Sequence, residues 1–279
     1  MENIIISSKS QYLDKVLSDI DFVDKIVLDA GTGTWSARFL AQKKPKEIIC
    51  VCGPGDMRKG EEAKNALQSV GYEKYQIVLK NLVHGNLFPS NTFDFILADY
   101  LIKEIDGFAP LGIFEVLLNL YNYLREDGEL LILNPEAYVS FRPEYEITST
   151  GVQGDNQLPK RDNRDLIDAL YLFLYIPITL KLLFNPLGGS YPSRWIYNWL
   201  ANVGFVEIET FFFDIRVNTD KEFSQRYTTA KQIISAICMP KLRDGLLEKL
   251  EEIVLEYSNR NVIEDDSFLR RHYIIRAKK

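Results

Sequence analysis

Val27-Leu28-Asp29-Ala30-Gly31-Thr32-Gly33-Thr34-Trp35 reads as a short buried strand, a tight glycine turn and a helix start. Glycines at 31 and 33 let the main chain turn sharply and leave room for a ligand close to it. A turn feeding a helix N-terminus also offers unbonded N–H groups and a partial positive charge. Such a site suits a nucleotide-like cofactor. Asp29 puts a carboxylate two residues before the first glycine, at the mouth of the turn. That charge repels a pyrophosphate and favours a cationic ligand.

Working outward, apolar residues at 12, 13, 16, 17 and 20 have helical spacing, so Ser7–Ile20 is expected to be a helix beside the first strand, Lys25–Asp29. Trp35–Gln42 is the helix after the turn. Glu47–Cys52 is an apolar run of strand length, of the kind buried on both faces of a parallel sheet. Gly53-Pro54-Gly55 ends it, and Asp56 caps a helix running to about Val70. Tyr75–Lys80 and Phe93–Ala98 are the third and fourth strands. Ile113–Leu124 is a helix, and Asp127-Gly128 turns into a fifth strand, Glu129–Leu133. This alternation predicts βαβ units with right-handed crossovers.

After Asn134 the pattern changes. Residues 135–164 are polar and carry Pro135, Pro143, Gly151, Gly154 and Pro159, as in a long active-site loop. Residues 165–184 are apolar, but Asp168, Pro177 and Lys181 interrupt them, which argues against a membrane span. A buried lid helix, a dimer interface and a surface for a lipophilic substrate or a bilayer remain as readings, with monomer and homodimer both open. Pro192–Val203 is amphipathic, Gly204–Asp214 holds a sixth strand, 219–237 and 241–258 read as helices, and His272–Ala277 closes the sheet.

The chain has 279 residues, 46% of them hydrophobic, enough for a substantial core. Net charge is −6, which argues against a broad nucleic-acid surface. The three cysteines are an odd number and no secretory leader is visible, so they read as reduced thiols of a cytoplasmic protein. Cys50 and Cys52 have no second ligand pair, and the two histidines, His84 and His272, are far apart in sequence, so no metal site is expected.

The Asp29-x-Gly31-x-Gly33 turn, the Phe93–Leu97 strand and the Tyr121–Ile132 passage, in that order, resemble the motifs of the class I S-adenosylmethionine-dependent methyltransferases. The resemblance covers residues 20–134 and continues more weakly at 192–214 and 268–279. It implies a doubly wound, seven-stranded, mostly parallel α/β sheet with an antiparallel last strand, a helical lid and helical insertions. Residues 1–134 would be the cofactor-binding core, 135–190 a lid that binds substrate, and 191–279 the rest of the core with a helical insertion at 215–265.

The same resemblance assigns residues. Asp29 would lie near the methionyl amino group of S-adenosylmethionine, with the backbone of Ala30, Gly31, Thr32 and Gly33 beside the ligand. Trp35 would pack over the cofactor or beneath its own helix. The family's ribose-binding acid falls on Cys52, and a thiol cannot make that bidentate contact. Asp56 is either its replacement or only a helix cap. Met57 would line the adenine face or pack in the core. Asn81 and Leu82 would meet the adenine edge, against the alternative of a plain loop asparagine. Asp99 and Tyr100 follow strand four and would stand near the transferred methyl. Asp99, Tyr100, Glu136 and Tyr191 are the candidates for a general base.

The expected activity is methyl transfer to a small acceptor, apolar or aromatic if the apolar lid lines its pocket. A catalytically degenerate scaffold is the main rival. A nicotinamide-dependent oxidoreductase is weaker, because Gly31-x-Gly33-x-x-Ser36 is a poor dinucleotide fingerprint.

Overall fold

The structure is a computed structural model that describes residues 9–108, 112–135, 191, 193–259 and 267–279. Expectations that fall on 1–8 and 136–190, including the lid, the apolar segment 165–184 and Glu136, lie outside the described residues.

The elements are α1 (Lys9–Val16), β1 (Ile26–Ala30), α2 (Thr34–Gln42), β2 (Glu47–Cys52), α3 (Met57–Ser69), β3 (Tyr75–Leu79), β4 (Phe93–Asp99), α4 (Leu101–Phe108), α5 (Gly112–Tyr123), β5 (Leu124–Pro135), α6 (Ser193–Val203), β6 (Val206–Asn218), α7 (Thr219–Ser235), α8 (Pro240–Ser258) and β7 (Ser267–Lys278). They form a seven-stranded sheet in the order β3-β2-β1-β4-β5-β7-β6. β1 pairs in parallel with β2 and β4, and β5 pairs with β7 antiparallel. The doubly wound fold read from the sequence is present, and α4 is an addition to it.

Alternation explains why the central strands read as unbroken apolar runs. Along β1, Val27 belongs to one core cluster and Leu28 to the other, and both are fully buried. Each cluster packs on one face of the sheet, so neither face can be polar. Strand order reverses between β1 and β4. Backbone loops diverge at such a point and leave a crevice at the carboxyl ends of the strands.

Some boundaries differ from expectation for local reasons. β5 begins five residues earlier than predicted, because the Asp127-Gly128 turn sits inside it as an irregularity. Asp127 has φ of +63°, and the register slips between Phe93 and Phe95. β7 is longer than predicted. Its Arg276 donates to Glu129 of β5 and, through the other guanidinium nitrogens, to Asp19 beyond α1.

The described residues fall into two compact units. The first lies within Met1–Ala137, Pro186–Ile215 and Arg271–Lys279, and the second within Tyr138–Asn185 and Arg216–Arg270. In the second, Phe223 of α7 stacks on Tyr257 of α8 with ring centroids 3.5 Å apart, and Tyr257 Oη donates to Asp220. No helix among the described residues is long and apolar enough to cross a membrane.

Candidate cofactor site

The turn after β1 is held from within. Asp29 is fully buried rather than at the mouth of the turn. Its Oδ2 accepts from Ser36 Oγ at 2.9 Å, and Ser36 Oγ accepts the Gly33 N–H at 3.0 Å. Thr32 Oγ1 donates to the Asp29 carbonyl at 2.7 Å, and the Thr32 N–H reaches Val51 on β2. Asp29 Oδ1 has no hydrogen-bond partner. Burial pushes its carboxyl up to about 8, with the bond from Ser36 working in the opposite direction. The Asp29 carboxyl therefore organises the loop first.

The two glycines do different work. Gly31 has φ of +79°, and a Cβ there would stand 3.0 Å from Leu101 Cδ1. Both conformation and space require glycine. Gly33 has φ of −135°, which any residue adopts, and nothing lies within 4 Å of where its Cβ would be. Open space, not strain, distinguishes that position.

Past the turn lies a cavity of about 380 Å³, a size within the roughly 300–1,000 Å³ of small-molecule sites. Gly31, Thr32, Cys52, Asp56, Asn81 and Leu82 all line it, so turns that follow three successive strands converge on one space. Leu101, Glu104 and Ile105 of α4 close it from the β4 side. Met57 is exposed and does not line it.

Cys52 ends β2 with its thiol pushed up to about 11, first by burial and then by the nearby Asp29 and Asp56. It is a neutral group at neutral pH. Asp56 is the N-cap of α3, accepting the Lys59 N–H at 3.3 Å. Its Oδ2 lies 3.3 Å from Lys59 Nζ, which is 3.5 Å from Glu104 Oε2. Burial works against the Lys59 charge, but Glu104 and Asp56 outweigh it and raise the pKa. This charged bridge was missed from the sequence. Its only local signal is the three-residue spacing from cap to lysine, and Glu104 lies on a helix that was not expected.

Asn81 Oδ1 accepts the Val83 N–H at 3.0 Å, and Asn119 of α5 donates to the Leu82 carbonyl at 3.0 Å. The loop after β3 is thereby pinned. A carbonyl oxygen has two lone pairs, so Asn81 can accept a second donor.

Asp99 ends β4 and Tyr100 follows it, beside an unexpected partner. Lys9 Nζ lies 2.6 Å from Asp99 Oδ1, although 90 residues separate them. Trp35 stacks on Phe39 of its own helix and presents a ring to the same ammonium. Tyr100 has φ of +56° and packs edge-on against the buried His272. Tyr191, in contrast, packs among Trp195 and Trp199 at the start of α6 and is not a cavity residue. Among the described residues no group of three His, Cys, Asp or Glu could hold a metal ion.

No family model and no curated protein matches the sequence. Solved structures do match the fold. The YcgJ protein of Bacillus subtilis is 13% identical over 97% of both chains with a TM-score of 0.60. A candidate methyltransferase from Bacillus halodurans is 14% identical over 98% of this chain and 99% of its own, at 0.58. The phosphoethanolamine N-methyltransferase 2 of Haemonchus contortus, solved with S-adenosylhomocysteine, is 13% identical over 99% of this chain and 54% of its own, at 0.52. A parallel sheet whose seventh strand inserts antiparallel beside the fifth is not the all-parallel 3-2-1-4-5-6 order of dinucleotide-binding domains. The chain has the fold of the class I S-adenosylmethionine-dependent methyltransferases.

Proposed function

We propose that the chain binds S-adenosylmethionine at the carboxyl ends of β1 to β4 and directs its methyl group to a small acceptor. The observation that carries this reading is the convergence of Gly31, Cys52, Asp56, Asn81 and Leu82 on one cavity. Val51, Leu82, Val83 and Ile105 give it apolar walls, which suit the faces of a purine. Asn81 offers an acceptor to an exocyclic amine. The Ala30–Gly33 backbone and Asp29 would serve the amino-acid half, the buried carboxyl taking charge when a cation meets its unpartnered oxygen. At the ribose, Asp56 and the Lys59–Glu104 bridge stand where Cys52 offers none of the usual acid.

The cofactor supplies a methyl group already bonded to a good leaving group, a sulfonium. The chain's own task is alignment and exclusion of water. Asp99 is placed to hold a proton, because burial raises its pKa although Lys9 acts against that. Glu136 and Tyr191 remain further candidates for the acceptor side.

The neutral thiol at Cys52 favours a second reading, a scaffold that has lost its ligand. Calorimetric titration with S-adenosylhomocysteine separates the two. The methyltransferase reading expects saturable binding by the native chain and about tenfold tighter binding by Cys52→Glu, the value of one charge-assisted hydrogen bond. No heat from either protein at millimolar ligand overturns it in favour of the scaffold.

A further inference from the structure

Trp35, Tyr100 and Asp99 enclose one cation. Lys9 Nζ sits 3.7 Å from the centroid of the Trp35 ring, 4.6 Å from that of Tyr100 and 2.6 Å from Asp99 Oδ1. The Lys9 and Asp99 side chains are 16% and 11% exposed. Two ring faces and a carboxylate are the elements of an ammonium receptor, since the rings attract a cation by their quadrupoles and the carboxylate takes its N–H.

Lys9 is a poor permanent tenant. Burial lowers its pKa despite the pull of Asp99, and burial raises that of Asp99 despite Lys9. Two desolvated charges gain little as an internal tie. The backbone also bears a cost here, because Tyr100 adopts a left-handed conformation that a ring-bearing residue rarely takes. Strain of that kind is kept where it positions a group. Asp29, whose Oδ1 is buried without a partner, feels the charges of both Lys9 and Asp99, and a cation in the cage favours its charged form against the burial that opposes it. Lys9 is the first residue of α1, whose hold on the core comes from Tyr12, Leu13 and Val16. The lysine side chain alone can withdraw while the helix stays packed.

We infer that this cage is the acceptor subsite and that it takes the ammonium of a primary or secondary aliphatic amine, for which Lys9 is the internal stand-in. For methyl transfer the ammonium gives one proton to the Asp99 carboxylate, the nitrogen lone pair so freed forms the new N–C bond, and the sulfonium sulfur keeps the electron pair of the broken S–C bond as a neutral thioether. The amine and Lys9 compete for one place. The role in methyl transfer rests on the function proposed above, but the cage binds amines whether or not that function holds.

The test titrates n-butylammonium, the chemical end of a lysine side chain, into the full chain by calorimetry, with n-butanol as the uncharged control. Lys9→Ala and Lys9→Met are expected to bind the ammonium at least about tenfold tighter than the native protein and to ignore the alcohol. Adding Asp99→Asn or Trp35→Leu to either variant should abolish that gain. Circular dichroism verifies folding. If neither Lys9 variant folds, the native protein carries the test, with a rise in Tm in n-butylammonium chloride over equal sodium chloride as the expected result. No gain in affinity, equal binding of the alcohol, survival of the gain without Trp35 and Asp99, or no rise in Tm overturns the cage. The same proteins are titrated with S-adenosylhomocysteine. Binding of that ligand without amine binding overturns only the cage, and the reverse overturns only the cofactor assignment.

Discussion

The cavity lined by Gly31, Cys52 and Asn81 and the cage around Lys9 both stand at the carboxyl ends of the strands, yet they are made in opposite ways. The cavity is open and its charged groups are settled locally. Asp56 caps its own helix, and Lys59 bridges to Glu104. The cage is filled by a side chain 90 residues from its ion-pair partner Asp99, and both members of the pair are driven by burial toward their neutral forms. One region offers room, while the other offers chemistry that is already taken. On the function proposed, the cavity would take the aromatic nucleoside and the cage would exchange one cation for another.

The contrast breaks most sharply at Gly31, which holds the loop that the two regions share. Gly31→Val meets both a left-handed backbone and the Leu101 side chain, and the two penalties together are expected to cost about 3 kcal/mol. Gly33→Ala meets neither, and should shift stability by about 0.5 kcal/mol while narrowing the space before the loop. Urea denaturation of the two variants side by side measures the difference. Equal stability would mean that the loop is not held as the structure has it.

Asp29 comes next. Its carboxyl is raised in the folded chain to about 8, from about 4 when unfolded. The folded state therefore keeps a proton that the unfolded state releases. The stability this confers is complete below about pH 4 and is lost as pH rises toward 8. The unliganded native chain should lose up to about 1.4 kcal/mol per pH unit in that window relative to Asp29→Asn. Denaturation midpoints of both proteins from pH 5 to 8 test this. Parallel curves would show that Asp29 is ionised in the empty loop.

A further variant sharpens the cavity side. Asp56→Ala removes the cap of α3 and should cost about 1 kcal/mol in thermal or chemical unfolding. If the same variant also weakens S-adenosylhomocysteine binding tenfold, Asp56 serves the ribose as well as the helix. Unchanged affinity leaves it as a cap alone.

The part of the cavity formed by Gly31, Cys52 and Asn81 was legible in the sequence because each of these residues sits at or just past the end of an apolar strand. Strand ends in a parallel sheet align, so residues such as Gly31, Cys52 and Asn81 converge wherever the strand order permits. What was not legible followed from packing. Met57 follows Asp56 immediately, but the helix begun by that cap carries its side chain into solvent. Glu104 depends on α4, a helix of only eight residues between β4 and α5, too short to stand out by length. Lys9 had no local signal, since only the position of α1 brings it to Asp99.

The sequence by itself determined the layered α/β plan, the strand-turn-helix at Asp29–Gly33 and the departure at Cys52. These depend on side-chain period, turn chemistry and residue type, all of which are local. The tertiary structure alone decided that Asp29 is buried and half-satisfied, that of the two loop glycines Gly31 and not Gly33 is a conformational necessity, and that Lys9 occupies a ring-walled anionic cage. Each of these depends on desolvation or on a contact between distant segments, and both arise only when the sheet and its helices close on one another.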